Sequence, residues 1–281
     1  MTCFADKASA VVTEVIENEP IARDTMRLRF HAPAMAACVV PGQFFMVRNP
    51  AGNDPLIGRA FALYDVASDG SGWLDVVYLV KGKLTSSLVT LRTGAPLSIW
   101  GPLGNGFPVT QAQNLVMVAG GVGQTPFLAL AKELLGRQRF GADGERTQAI
   151  CPQVTLCYGA RSADYLAGVD QFRDAGVDVR LATEDGTLGP PQRVTDVLVQ
   201  VLNEQPGATV VCCGPEPMME AVAKLTQSRE IDCLVSLETP MACGIGICFT
   251  CVAKVGLEHD WDYKRTCVEG PVFNSRDIVW S

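Results

Sequence analysis

Cys243-Gly-Ile-Gly-Ile-Cys248-Phe-Thr-Cys251 is followed, after fifteen residues, by Cys267. A segment written this way has little choice of structure. Gly244 and Gly246 leave the backbone free to wrap tightly and to aim N–H groups at sulfur. The spacing C-x4-C-x2-C with a distant fourth cysteine is that of plant-type [2Fe–2S] centres, which move electrons one at a time. A zinc knuckle is the competing reading. Zinc sites usually carry two CxxC-like pairs, whereas Cys267 stands alone. Either way, Cys243, Cys248, Cys251 and Cys267 are the candidate ligands. The segment from about Leu237 onward is then a loop-rich appendix stapled by metal rather than by a large core.

The chain has 281 residues, 48% of them apolar, which suits roughly two domains of ordinary size plus this small one. A net charge of −7 argues against nucleic acid or an anionic membrane as the main partner. Met1–Ala10 lacks the apolar stretch of a secretory signal. Leu115–Ala131 is broken by Gly120, Gly121, Gly123, Gln124 and Pro126 and fits a strand plus helix better than a bilayer span. A soluble, cytoplasmic protein is expected. The remaining cysteines, Cys3, Cys38, Cys151, Cys157, Cys212, Cys213 and Cys233, are an odd number, and several lie in apolar runs. Buried free thiols are expected rather than disulfides.

Two patterns precede the cysteines. In the first, Met26, Leu28 and Phe30 alternate with Arg27 and Arg29, the period of a half-buried strand. Gln43–Arg48, Arg59–Val66 and Trp73–Val80 are further short strands, and Thr85–Leu91 is a helical piece. This spacing predicts a small antiparallel barrel over residues 1–110. From 111 to 234 strands alternate with helices. Strands are expected at Leu115–Ala119, Val154–Tyr158, Val177–Ala182 and Thr209–Cys213. Helices are expected near Thr125–Gly136, Ala163–Arg173, Arg193–Asn203 and Pro215–Gln227, with a polar surface excursion at Gln138–Gln153. That order predicts a parallel α/β sheet. Residues 235–281 form the third, metal-bearing domain.

Several turns carry chemistry. Val118-Ala-Gly120-Gly121-Val-Gly123-Gln-Thr125-Pro126 sits where a strand enters a helix. Small residues admit a phosphate to the free N–H groups of the helix start, which Thr125 caps. It is not a G-x-G-x-x-G fingerprint, and a tight turn without ligand is the plain alternative. Cys213-Gly214-Pro215 ends the last strand and faces the same crevice, outside the carboxyl ends of the strands. Glu184, after the third strand, is placed to accept ribose hydroxyls and to repel a 2′-phosphate, favouring NAD over NADP. A solvated acidic turn is the alternative there. In the barrel, Arg59 lies among apolar neighbours and needs an anion or a carboxylate, and Thr85 and Ser86 open a helix near it. A surface ion pair is the bland reading of Arg59. His31 and His259 are the two histidines and neither has the surroundings of a catalyst, so no hydrolytic centre is expected.

Arg59–Tyr64, Gly101-Pro-Leu-Gly-Asn-Gly-Phe107, Ala119–Pro126, Tyr158-Gly-Ala-Arg-Ser162, Glu184-Asp-Gly186 and Cys213–Met218 resemble, in this order, ferredoxin–NADP reductase-type flavoproteins. Ser236–Cys251 with Cys267–Phe273 narrows the likeness to electron-transfer subunits of NAD-linked dihydroorotate dehydrogenases. The resemblance implies FAD on the barrel, NAD(H) on the α/β domain and a [2Fe–2S] cluster in the third domain. It implies an FMN-containing catalytic partner in pyrimidine biosynthesis, in a dimer of heterodimers (a heterotetramer). Carried over by position, Arg59, Ala60, Phe61, Ala62, Val77, Tyr78, Leu79, Leu84, Thr85 and Ser86 would hold FAD. Ala60 and Ala62 stand where proline and serine are frequent, and Leu84 where glycine is. These departures remove a hydroxyl near the flavin and crowd a turn near its phosphate. The same module serving a hydrogenase, a glutamate synthase-like enzyme or another FMN dehydrogenase is the alternative, and a zinc-stabilised interaction module a second. Cys213 is expected near the nicotinamide, in a packing role. Met241, Ile245, Ile247 and Phe249 are expected to form an exposed apolar rim for docking.

Overall fold

The computed structural model describes residues 7–108, 112–142, 151–257 and 259–280. They form a closed six-stranded antiparallel barrel, a six-stranded mainly parallel sheet flanked by helices, and a two-stranded hairpin. The barrel comprises β1 (Ser9–Ala22), β2 (Thr25–His31), β3 (Phe44–Arg48), β4 (Arg59–Val66), β5 (Trp73–Leu79) and β6 (Pro96–Leu103). Its order is β1-β2-β5-β4-β3-β6. Two short helices interrupt it, α1 (Pro33–Ala36) and α2 (Lys83–Val89).

Alternation builds the barrel. Leu28 and Phe30 of β2, Phe45 and Val47 of β3, and Leu97 and Ile99 of β6 point into one core. The outward residues of β2 are arginines. The Arg29 guanidinium donates through Nε to Oδ1 of buried Asp75 and through Nη2 to Oδ2, both at 2.8 Å, and stacks on Trp73 at 3.8 Å. The sequence reading missed β1 and β6. The first half of β1 is exposed rather than alternating, and β6 holds Pro102 near its end, which hides a strand.

The sheet is ordered β14-β11-β10-β7-β8-β9. It is made of β7 (Asn114–Gly120), β8 (Gln153–Ala160), β9 (Asp178–Thr183), β10 (Thr209–Cys213), β11 (Cys233–Ser236) and β14 (Val272–Asn274). The helices are α3 (Phe127–Leu134), α4 (Val169–Ala175), α5 (Val194–Glu204) and α6 (Glu216–Ser228). The expected helix over Thr125–Gly136 is therefore shorter, with a 3-10 turn at Gly121–Gln124 before it. The expected helix over Ala163–Arg173 splits at Gly168, which takes a left-handed φ of 70°. Residues 143–150 of the expected surface excursion lie outside the described residues, as does Cys3.

The metal-bearing segment is woven in rather than appended. Its hairpin, β12 (Val252–Leu257) with β13 (Asp260–Arg265), forms its own two-stranded sheet and meets the chain's last residues through a bridge from Val255 to Ile278, and β14 returns to pair antiparallel with β11 at the edge of the sheet. The barrel and sheet also share a seam. Tyr64 and Val77 pack into the sheet's core, Lys132 pairs with Asp65 at 2.6 Å, and Arg23 reaches Asp164 at 3.1 Å. No helix among the described residues is long and apolar enough to cross a membrane.

Candidate functional site

Three arrangements carry chemistry. The first lies at one end of the barrel. Antiparallel pairing of β4 with β5 sets the Arg59 end of β4 beside the Leu79 end of β5, from which α2 starts. Arg59 is exposed. Its Nη1 donates to the Gly58 carbonyl at 3.0 Å and more weakly to that of Ile57. Among the described residues no carboxylate pairs with it, so its charge is free for an anion. Phe61 stacks at a tilt on Tyr78, 5.7 Å between centroids. Burial pushes the Tyr78 hydroxyl up to about 12, and that group donates to Asn18. Val77, Tyr78, Leu84 and Thr85 are buried, so only their backbone can meet a ligand. The Thr85 hydroxyl is already engaged, accepting from the N–H groups of Lys81 and Gly82. Ala62 and Leu79 are half-buried and Ser86 is exposed.

The second arrangement lies where the sheet order switches. From β7 the chain moves to β8 on one side, while β10 pairs β7 on the other, with Cys213 level with Ala119. Ligands of open α/β sheets sit at such a switch, outside the strand ends. The two turns meet backbone to backbone. A Cβ on Gly123 would lie 2.3 Å from the Cys213 carbonyl oxygen, and one on Gly214 3.0 Å from the Gly120 nitrogen. Gly121 differs: its φ is +56° and a Cβ there would meet nothing within 4 Å. The glycines thus form a cradle open at Gly121, which suits the close approach of a pyrophosphate. Thr125 is buried behind the turn and does not cap the helix as expected, because it closes the 3-10 turn and α3 begins only after Pro126, with no side-chain cap; Pro215 stands just before α6. Burial pushes the Cys213 thiol up to about 12, so it sits there as a neutral thiol. Glu184, exposed at the end of β9, lies two strands away from β7, on the flank where a ribose would extend.

The third arrangement holds the four cysteines as two pairs. The Cys251 and Cys267 sulfurs are 3.1 Å apart and buried. Cys248, exposed, is pushed down to about 6 by hydrogen bonds from Thr250 and then from Cys243. Cys267 is pushed up to about 12 by burial and by its neighbour Cys251. A metal would displace the proton that burial holds on Cys267. Among the described residues no three such side chains converge on a single ion. Two pairs, each able to bind one iron, fit a two-iron cluster better than one zinc. Gly244 and Gly246 have φ of 73° and 83°, as the wrapping requires. A Cβ on Gly244 would strike Met46, and one on Gly246 would strike Val268.

Around this site Ile245, Ile247 and Phe249 are exposed, Ile247 at 74%. Met241 departs from the expected rim: it packs with Phe44, Met46 and Leu103. Two contributors were not read from the sequence. Arg265 donates to the Gly246 carbonyl and binds Glu269, pinning the cysteine loop from the end of the hairpin. Asn105, inside the Gly101–Phe107 motif, donates to the carbonyls of Glu269 and Val272, and its place in that glycine-rich run was the available signal. His31 lies on β2 and His259 in the β12–β13 turn, both outside these arrangements.

Residues 12–107 match the family model of oxidoreductase FAD-binding domains. Residues 117–224 match that of oxidoreductase NAD-binding domains. Residues 238–279 match the iron–sulfur cluster binding domain of dihydroorotate dehydrogenase B. A relative from Desulforamulus reducens, named dihydroorotate dehydrogenase B (NAD(+)), electron transfer subunit, is 34% identical over 92% of this chain and 94% of its own. A like-named relative from Caldanaerobacter subterraneus is 30% identical, with 95% and 97% covered. The solved structure of an NADH-dependent reduced ferredoxin-NADP oxidoreductase, described for flavin-based electron bifurcation, superposes with a TM-score of 0.80. It is 26% identical, covering 96% of this chain and 90% of that one.

Proposed function

Since the chain belongs to the family of dihydroorotate dehydrogenase B electron transfer subunits, we propose that it carries electrons between NAD(H) and a catalytic partner that holds FMN and acts on dihydroorotate, in a dimer of heterodimers. The observation that carries this reading is that two of the four thiols, Cys251 and Cys267, are buried in one apolar cluster with Phe44, Met46 and Leu103 of the barrel, against which Ala60 of the flavin strand also packs. When bound, FAD and NAD(H) supply hydride chemistry and the [2Fe–2S] cluster one-electron relay.

The residues do the rest. Arg59, unpaired by any described carboxylate, binds the flavin's phosphate charge. The half-buried Phe61 and the backbone of β5 wall the flavin. Gly120, Gly121 and Gly123, with Gly214 and Pro215, receive the dinucleotide's pyrophosphate, and Glu184 its ribose. Cys213 stays protonated and fills space beside the nicotinamide. Cys243, Cys248, Cys251 and Cys267 would hold the cluster. Ile245, Ile247 and Phe249 surround the exposed Cys248 and keep water from the docked face.

Co-purification tests this reading. The expected result is a coloured complex whose second subunit holds FMN and which reduces NAD⁺ with dihydroorotate. A complex that ignores dihydroorotate would overturn it. The 26% identical ferredoxin-NADP oxidoreductase, matching nearly the whole chain, favours one second reading, the same module serving another oxidoreductase, and that outcome would select it.

A further inference from the structure

On the outer face of the barrel a cross-strand row leads from the flavin strand to the cysteines. Ala60 of β4 pairs with Met46 of β3, and Met46 pairs with Trp100 of β6. Cys251 and Cys267 pack against this row. Trp100 stands at its far end and does two things at once. Its indole Nε1–H donates to the carbonyl of Cys243 at 2.8 Å. Its ring lies against Gly58, the residue before Arg59, where a Cβ would come within 2.8 Å of the Trp100 ring carbon Cη2. One half-buried side chain therefore touches both the approach to the flavin arginine and the backbone of the first cysteine of the run. Leucine or phenylalanine would fill that space as well. Only the indole also supplies a directed N–H to the carbonyl of a metal-binding residue.

From this geometry we infer that Trp100 is a positioning residue for the iron–sulfur cluster, fixing the Cys243 arm of the loop to the strand network that carries the flavin motif. The inference rests on the proposed function, because it presupposes a cluster. Hydrogen bonds around a cluster's ligands set its potential and orient its first shell. The N–H places positive charge near the Cys243 carbonyl, whose negative end otherwise disfavours the reduced, more negative cluster. Removing the donor lowers the reduction potential and loosens the Cys243 arm.

The test is Trp100→Phe, which keeps a ring on Gly58 and deletes the donor. Flavin content and far-ultraviolet circular dichroism report folding. The expected results are an altered electron paramagnetic resonance signal of the reduced cluster and a lower midpoint potential. The shift should be at most about fivefold in the one-electron equilibrium constant, the ceiling set by a hydrogen bond worth about 1 kcal/mol. Loss of iron from an otherwise folded, flavin-loaded variant supports the inference equally. A signal and midpoint superimposable on those of the parent overturn it. Should the variant not fold, the parent protein with ¹⁵N-labelled indoles still decides. Of the signals from the four tryptophans, at least one should be protected from exchange and lost to paramagnetic broadening when the cluster assembles. Four sharp, freely exchanging signals overturn the inference. Failure of the proposed function looks different, since the parent would then show no iron–sulfur spectrum at all.

Discussion

Gly123→Ala is the sharpest perturbation of the dinucleotide crevice. Gly123 has no unusual φ, so alanine costs nothing in backbone conformation there, and the whole effect is steric. The added carbon would sit 2.3 Å from the Cys213 oxygen, 2.6 Å from its carbonyl carbon and 2.8 Å from the Gly214 Cα. All three are backbone atoms of a neighbouring strand end, and none can rotate away. Restoring 3.0 Å to the oxygen means parting the two turns by about 0.7 Å. Overpacking of this kind costs about 1–3 kcal/mol, and at about 2–4 °C per kcal/mol the melting point should fall by roughly 2–12 °C. The parted turns should also bind dinucleotide poorly. NADH at a hundred times its Kd stabilises a protein by about 2.7 kcal/mol, and most of that ligand-induced rise in Tm should vanish in the variant. Gly121→Ala should act through a different cause. With open space around it and a φ of +56°, it should lose about 1 kcal/mol to backbone strain while its methyl group intrudes where the phosphate goes. Thermal unfolding of the purified subunit with and without NADH reads both. A Gly123→Ala protein with the parent's Tm and an intact NADH shift would refute the backbone-to-backbone crevice.

Arg59→Ala removes a charge-assisted contact worth about 1.5–3 kcal/mol, so FAD should bind roughly 10- to 150-fold more weakly by fluorescence titration; unchanged affinity would take Arg59 out of the flavin site. Cys248→Ser should abolish the cluster's visible spectrum, and iron content equal to the parent's would remove Cys248 from the ligands. Glu184→Ala should narrow the ratio of kcat/KM for NADH over NADPH by about tenfold, and a constant ratio argues that the carboxylate meets no ribose. Asp75→Asn leaves Arg29 with Glu17 at 3.5 Å as its remaining carboxylate, in place of a bidentate bond to one only 1% exposed. A loss of about 3 kcal/mol is expected in denaturant titration, and a loss below about 0.5 kcal/mol would mean that water already serves that guanidinium.

What could be read ahead of the structure was whatever local chemistry declares. Glycines at strand ends and cysteines at fixed spacing announce themselves, and Thr209–Cys213 appears as a strand with the expected limits. Strands that depend on distant partners did not. β1 has no alternation because its first half lies exposed. β12 and β13 have no fully buried residue, and among the described residues their one bridge outside the hairpin joins Val255 to Ile278, so they read as loop. At the site, the thiols were legible, but the Trp100–Cys243 bond joins residues 143 apart in sequence, and no local rule reports such a contact. Met241 was expected at the surface because it is apolar and adjoins the cysteines; barrel residues that only the fold brings there cover it.

The pairing of β14 with β11 sets an order of assembly. During synthesis the edge of the nucleotide sheet stays bare until residues 272–274 arrive, and by then every cysteine of the cluster has been made. The loop between β11 and β14 is a closed circuit that contains all four thiols. The cluster ligands and the last strand of the nucleotide sheet thus belong to one stretch of chain, and a break anywhere in it would cut the covalent path from the edge that β14 covers, through the thiols, to β14 itself.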